Sequence, residues 1–267
     1  MYTDMAKTLY TKQGRVLPCF CYDSLPSTND EAKRIAKEGR EDRFAVAASE
    51  QTAGRGRYGR EFLSLRGRGL YLSYAMKAEG RDIVAFGALS ALAVAALLEE
   101  YFGIRAELKW PNDVLANGRK ICGILPESVV GRDGERYAVV GIGVNVFYSE
   151  EELGALADIA TSAVLCCKND ELKRGFLQNK EAILRLAAVR LAELCSRLAD
   201  CMDAGEDFIP EYSGRLVTLG KRVRFKGADG REKEGVATGV APDCSLIVAT
   251  DGGEEKIGWG EVAVVSE

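Results

Sequence analysis

The chain contains no histidine. Ser-His-Asp triads, Cys-His pairs, zincin motifs and His-based zinc sites are therefore excluded. Any catalysis must run on Lys, Arg, carboxylates, Tyr, Cys, backbone dipoles or a carboxylate-bound metal. An excess of one charge is also missing: 36 Lys plus Arg face 40 Asp plus Glu, a formal net of -4. That balance argues against a general nucleic-acid binder and leaves room for a local basic site. Eight cysteines (19, 21, 122, 166, 167, 195, 201 and 244) include no C-x-x-C spacing. Several sit in apolar settings, such as Leu165-Cys166-Cys167 and Leu194-Cys195, and read as reduced, buried thiols of a cytoplasmic protein. Residues 1–23 hold no apolar core with a cleavage site, so secretion is not expected. Long hydrophobic runs are absent as well. The charge-free stretch 83–98 is rich in alanine, contains Gly87 and Ser90, and runs into Glu99-Glu100. It is too short and too weakly apolar for a membrane span and predicts a central core helix.

A chain of 267 residues buries roughly three-quarters of its unfolded surface, so it needs neither disulfides nor metal to hold it. No internal repeat or low-complexity tract appears. Ser27-Thr28-Asn29 ahead of residues 30–38 predicts an N-capped amphipathic helix. Residues 43–49, 70–76, 105–110 and 137–146 read as strands. Residues 113–125 read as a hairpin pivoting on Asn117-Gly118, the pair that a type I′ turn favours. A long helical pattern covers 170–200, with apolar residues three and four apart. From Leu216 only short strands remain, at 217–225, 233–240, 246–250 and 254–265. The pattern predicts an α+β domain with a mixed sheet and helices on one side, followed by a small β-barrel or sandwich. The expected division is 1–215 and 216–267.

Three clusters carry chemistry. Residues 54–69 hold Arg55, Arg57, Arg60, Arg66 and Arg68 among five glycines, with Glu61 as the lone acid. Glycines let backbone approach a ligand, and arginines supply forked donors that match phosphate or carboxylate. The spacing fits neither a Gly-Lys-Ser/Thr phosphate loop nor a dinucleotide fingerprint. It points to a small-anion site, with a solvated loop or an RNA-contacting patch as alternatives. Fixing residues 54–59 costs roughly 6–12 kcal/mol of backbone entropy. Two or three charge-assisted hydrogen bonds return about 1.5–3 kcal/mol each. A loop mobile without ligand and closed over an anion is therefore expected. The second cluster is Lys109-Trp110-Pro111-Asn112-Asp113 with Lys120, Gly123 and Glu127. Asp113 suits Mg²⁺ or a ribose hydroxyl, and Lys120 a phosphate or carboxylate; a hairpin with solvated charges around a core Trp110 is the competing reading. The third, Gly141-Ile142-Gly143-Val144-Asn145, is a strand open to close approach, or one whose glycines mark a bulge.

Taken together, these motifs resemble the biotin–protein ligase family. The resemblance rests on Ser27-Thr28-Asn29, the run from Gln51 to Arg60, Lys109 to Asp113, Arg119-Lys120 with Gly123-Ile124-Leu125, and Gly141 to Asn145. It extends to Trp259-Gly260-Glu261-Val262 and keeps the family's order. It implies a catalytic domain of the class II aminoacyl-tRNA-synthetase-like fold followed by an SH3-like barrel. About twenty residues precede the catalytic region, so a monofunctional ligase without a DNA-binding domain is expected. The implied reaction uses ATP and Mg²⁺ to convert biotin to biotinoyl-5′-AMP. Biotin then passes to a lysine of a biotin carboxyl carrier protein. By motif, Ser27, Thr28, Asn29 and Gln51 bind the biotin ring, and Arg55, Gly56, Arg57 and Lys120 hold the carboxylate and phosphate. Arg57 and Lys120 stabilise the α-phosphate. Asp113 holds Mg²⁺ or receives the acceptor-lysine proton, and Asn145 lies on the nucleotide side with Arg60, Phe62, Lys109 and Asn112. The family usually has Trp where this chain has Phe62, a ring that covers adenine with less area and no N–H. Cys122 stands where a small residue is expected and reads as a buried thiol, a redox-sensitive site being the alternative. Lipoate–protein ligase and a non-catalytic biotin sensor are the rival functions, and both monomer and homodimer stay open.

Overall fold

A computed structural model of the chain describes residues 5–10, 16–227, 230–258, 260 and 262–265. Trp259 and Glu261 of the last motif lie outside the described residues. Strands β1 (Met5–Tyr10) and β2 (Val16–Tyr22) form an antiparallel pair. Helix α1 (Thr28–Glu38) then carries the chain to β3 (Arg43–Ala48), which lies parallel to β2. A parallel pair requires such a crossover. The cap expected before residue 30 is present: the Asp30 amide donates to Ser27 Oγ at 3.4 Å, and Gly39 closes the helix at φ 66°.

Strand β4 (Gly69–Lys77) is buried throughout except at Lys77. Helix α2 (Ile83–Phe102) follows, then β5 (Glu107–Lys109), β6 (Asp113–Ala116), β7 (Arg119–Val130) and β8 (Arg136–Asn145). The turn between β6 and β7 has Asn117 at φ 51° and Gly118 at φ 74°, the double left-handed conformation that type I′ requires. Together β1 to β8 make one mixed sheet in the order β1-β2-β3-β4-β8-β7-β6-β5. Alternate residues of its central strands enter two different cores. Val139 and Ala75 pack with Ala32 and Ile35 of α1, whereas Val140, Ile142 and Leu72 pack beneath α2. Helices therefore cover both faces, which corrects the one-sided expectation. The cause is β4, which is buried on both faces, so that both must be covered.

Helix α2 runs to Phe102 rather than to residue 98, because Glu99 and Glu100 sit at its solvated end before Gly103 at φ 64°. Its twenty residues are long and apolar enough for a span by length and composition, yet 78% of its apolar window is buried in the protein. Short helices α3 (Glu150–Leu153) and α4 (Ala163–Cys166) lead to α5 (Asp170–Gln178) and α6 (Lys180–Asp203). The single helix expected over 170–200 is thus broken at Asn179, which ends α5 at φ -122°. Helix α7 (Ile209–Gly214) precedes β9 (Arg222–Lys226), β10 (Glu232–Val240), β11 (Leu246–Thr250), β12 (Gly253–Ile257) and β13 (Val262–Val264). These five form an antiparallel sheet in the order β12-β11-β10-β9-β13. The strand expected over 254–265 is two strands, on opposite edges of that sheet. The α+β class holds.

Candidate active site

The floor of the site is the β7–β8 ladder, where Gly123 faces Gly143 and Leu125 faces Gly141. Residues two apart share a face, so these positions open toward the α1 side of the sheet. A Cβ on Gly141 would lie 2.6 Å from Asn29 Oδ1, and one on Gly143 would lie 2.4 Å from Phe62 Cε1. Glycine is needed here for close approach, not for a bulge: the β7–β8 register runs unshifted.

Above the floor stands the first turn of α1. Gln51 Oε1 accepts from the Thr28 amide at 2.8 Å and from Thr28 Oγ1 at 3.1 Å. One helix N–H that lacks an intrahelical partner is thereby satisfied. Gln51 Nε2 donates to Ser64 Oγ at 3.0 Å. Asn29 Nδ2 donates to Glu127 Oε2 at 2.7 Å and to the Leu125 carbonyl at 3.2 Å. Ser73 Oγ lies 2.8 Å from Thr28 Oγ1 and 2.6 Å from Asn29 Oδ1. Ser27, Thr28, Asn29, Ser64 and Ser73 are all buried, and the hydrogen bonds among them and Gln51 hold the amides and hydroxyls in fixed orientations.

The arginine loop folds against this wall. A Cβ on Gly54 would meet Ser64 Oγ at 2.5 Å, and the Gly54 carbonyl accepts from the Phe62 amide at 2.9 Å. Tyr58 and Gly59 take φ 57° and 71° to turn the chain. Arg55 Nη2 donates to Asp30 Oδ1 at 2.5 Å. Arg57 donates through Nη1 to Asn112 Oδ1 at 3.1 Å and through Nη2 to the Gly260 carbonyl at 2.6 Å. The Asn112 side chain is oriented in turn by the Ile124 carbonyl, which accepts from its Nδ2 at 3.1 Å.

Lys120 enters from β7. A register shift between Val114 and Leu115 brings its Nζ to 2.6 Å from Asp113 Oδ1. Lys33 Nζ pairs with Glu127 at 2.9 Å and Asp30 at 3.0 Å. Burial works against ionisation of Asp30, but Lys33 and Arg55 hold its carboxyl below the usual range. Burial pushes the Cys122 thiol well up, outweighing the nearby Lys120 cation. Cys122 is therefore a protonated, fully buried thiol, and the gap-filling reading stands.

One cavity, of about 60 Å³, is lined by Ser27, Thr28, Asn29, Gln51, Arg55, Gly56, Arg57, Phe62, Asn112 and Lys120 together with the glycine floor. Ten of the fourteen residues given a binding or catalytic role by motif thus meet in one place. Arg60, Lys109, Asp113 and Asn145 do not line it. Arg60 is exposed, and Lys109 is half-buried beside the Trp110–Pro111 peptide, which is cis. Asp113 reaches the cavity through Lys120, and Asn145 is buried with its Nδ2 donating to the Thr161 carbonyl at 3.0 Å. Ser73 and Ser64 were missed. Ser73 had a signal, the lone small polar residue inside the run 70–76. Among the described residues no three acidic or Cys side chains cluster to hold a metal. Asp113 Oδ1 is nevertheless buried and in no well-directed hydrogen bond. One such carboxylate with substrate phosphate oxygens is a donor set that suits Mg²⁺.

Residues 21–145 match the family described as "Biotin/lipoate A/B protein ligase family", and residues 218–265 match "Biotin protein ligase C terminal domain". The "Bifunctional ligase/repressor BirA" of Bacillus subtilis is 31% identical over 244 residues, 88% of this chain and 70% of that one. The "Biotin--[acetyl-CoA-carboxylase] ligase" of Mycobacterium tuberculosis is 30% identical over 247 residues, covering 88% and 85%. Among solved structures, "Biotin protein ligase from Aquifex aeolicus in complex with biotin and ATP" superposes with a TM-score of 0.73. Its identity is 25%, over 93% of this chain and 99% of that chain.

Proposed function

This chain belongs to the biotin/lipoate A/B protein ligase family, and from that premise we infer that it is an ATP-dependent biotin–protein ligase. A carboxylate oxygen of biotin attacks the α-phosphorus of ATP. The O–P bond forms as the bond to the β-phosphate breaks, and pyrophosphate leaves with the electron pair. The amine of an acceptor lysine on a biotin carboxyl carrier protein then attacks the acyl carbon. An amide forms and AMP departs. Neither step needs histidine; both need positioning and charge neutralisation.

The observation that carries this reading is the convergence of Arg57 and Lys120 with the Thr28–Asn29–Gln51 network on one glycine-floored cavity. In our reading, Ser27, Thr28, Asn29 and Gln51 hydrogen-bond the ureido ring. Arg55 and Gly56 hold the carboxylate end, and Arg57 and Lys120 neutralise charge on the α-phosphate. Asn112 keeps the Arg57 guanidinium aimed. Asp113 would hold Mg²⁺, which when bound supplies further neutralisation of the phosphates, or would take the proton of the acceptor amine. Arg60, Lys109, Asn145 and Phe62 border the nucleotide side. We place the chain in the cytoplasm, supported by eight cysteines, all within the described residues and none in a disulfide. We set the division of the chain between residues 215 and 216.

The test is ATP–pyrophosphate exchange with Mg²⁺ and biotin, lipoate or octanoate. Exchange dependent on biotin alone is expected. Exchange with lipoate reassigns the acid, and biotin binding without exchange turns the protein into a sensor.

A further inference from the structure

Resting on the ligase reading above, we propose that the Phe62 ring seats itself in the biotin cavity of the ligand-free chain, and that biotin enters by displacing it. Phe62 is therefore a gate on the acid site before it is any cover for a nucleotide.

Gly123 and Gly143 are cross-strand partners, and the Phe62 ring lies over both. Ideal Cβ positions fall 2.4 and 2.6 Å from its Cε1 and Cζ at Gly143, and 3.2 Å from its Cε2 at Gly123. The ring thus rests where side chains of the two strands would otherwise stand. What remains of the cavity is about 60 Å³. Pockets for small organic ligands measure about 300–1,000 Å³. A bicyclic acid cannot share the floor with this ring.

The ring also shares its cavity with the groups that would read the acid. Thr28, Asn29 and Gln51 line the space that Phe62 lines. The Phe62 backbone is tethered on both sides. Its N–H donates to the Gly54 carbonyl at 2.9 Å, and its carbonyl accepts from Ser64 Oγ at 3.0 Å. Ser64 in turn accepts from Gln51 Nε2. Opening is consequently a rotation of the side chain on a fixed backbone, and the half-buried ring has solvent on one side to turn into. A ligand that competes with the closed form binds with its affinity reduced by the open fraction.

Two measurements test this. In the ligand-free protein, NMR should find the Gly143 Hα resonances displaced by the Phe62 ring current. The displacement should vanish in Phe62→Leu and on addition of biotin. In stopped flow, Phe62→Ala should raise the biotin association rate constant about tenfold, as expected if about a tenth of the wild-type population is open. Undisplaced Gly143 resonances in the ligand-free wild type overturn the proposal, as does an association rate that Phe62→Ala leaves unchanged. Failure of the ligase reading looks different: neither protein binds biotin and neither catalyses biotin-dependent exchange. In that case the ring-current shift, read without ligand, still decides whether Phe62 fills the cavity.

Discussion

Three cations at the site are paired with acids in the ligand-free chain: Arg55 with Asp30, Lys120 with Asp113, and Lys33 with Glu127. The Arg55–Asp30 side chains are 45% and 47% exposed, and a pair that open is worth about 0–1 kcal/mol. Exchanging such a carboxylate for a substrate anion costs little, so the site is poised rather than locked. Removing Arg57 or Lys120 should lower the rate of biotin-dependent pyrophosphate release by about 10²–10³; near-normal release from Lys120→Ala would remove that residue from the mechanism. Asp30 gives a pH test. Its folded carboxyl binds a proton less readily than the unfolded one, so its contribution is complete above the unfolded value of about 4 and is lost as the pH falls through the folded value. Asp30→Asn should flatten that part of the acid-side slope in urea-unfolding free energies. Cys122, buried and with its thiol raised, should resist alkylation near pH 8 in the native protein and react once it is unfolded.

At the scale of elements, the β8 glycines decide what can sit on the sheet. Gly141→Ala puts a Cβ 2.6 Å from Asn29 Oδ1, where that side chain is held by Glu127 and Leu125. Overpacking of this kind costs about 1–3 kcal/mol. The expected outcome is a modest fall in melting temperature with a larger rise in KM for biotin, because the displaced group is a recognition residue. A fall in stability with unchanged KM would place Asn29 outside recognition. Elements with strong local signals were legible beforehand: the Ser27 cap, the Asn117-Gly118 turn and the apolar run of α2. The N-terminal strand pair was missed, and the break at Asn179 was not visible, because the apolar spacing continues across it while the backbone does not.

Across the whole molecule, the Lys109–Asp113 turn is held by the segment before β9 and by the turn between β10 and β11. Leu108 pairs with Leu216 through N–H donations to Arg215 and from Val217. Trp110, only 2% exposed, donates from Nε1 to the Cys244 carbonyl at 3.0 Å. Trp110→Phe keeps the apolar bulk but leaves that buried carbonyl without its donor. The expected cost is about 1–3 kcal/mol, read as a lower denaturant midpoint at constant slope. With Asn112 and Asp113 next in the chain, adenylation should weaken together with stability.

By itself, the sequence determined which side chains could do chemistry here. A chain without histidine, with arginines spaced between glycines and an ordered set of motifs, leaves carboxylate and phosphate handling by Arg and Lys as its chemistry. Local rules of capping, turn conformation and periodicity depend on neighbours in the chain, so those elements could be read directly. Tertiary structure alone decided the rest. Sheet order put β8 between β4 and β7 and so made Gly141 and Gly143 a floor. A backbone carbonyl at Gly260 reached Arg57 from more than two hundred residues away, at 203 positions of separation. The Phe62 ring settled on a glycine pair with no tie to it in the chain. These contacts follow from which faces must be buried together, and that is a property of the packed molecule rather than of any window along it.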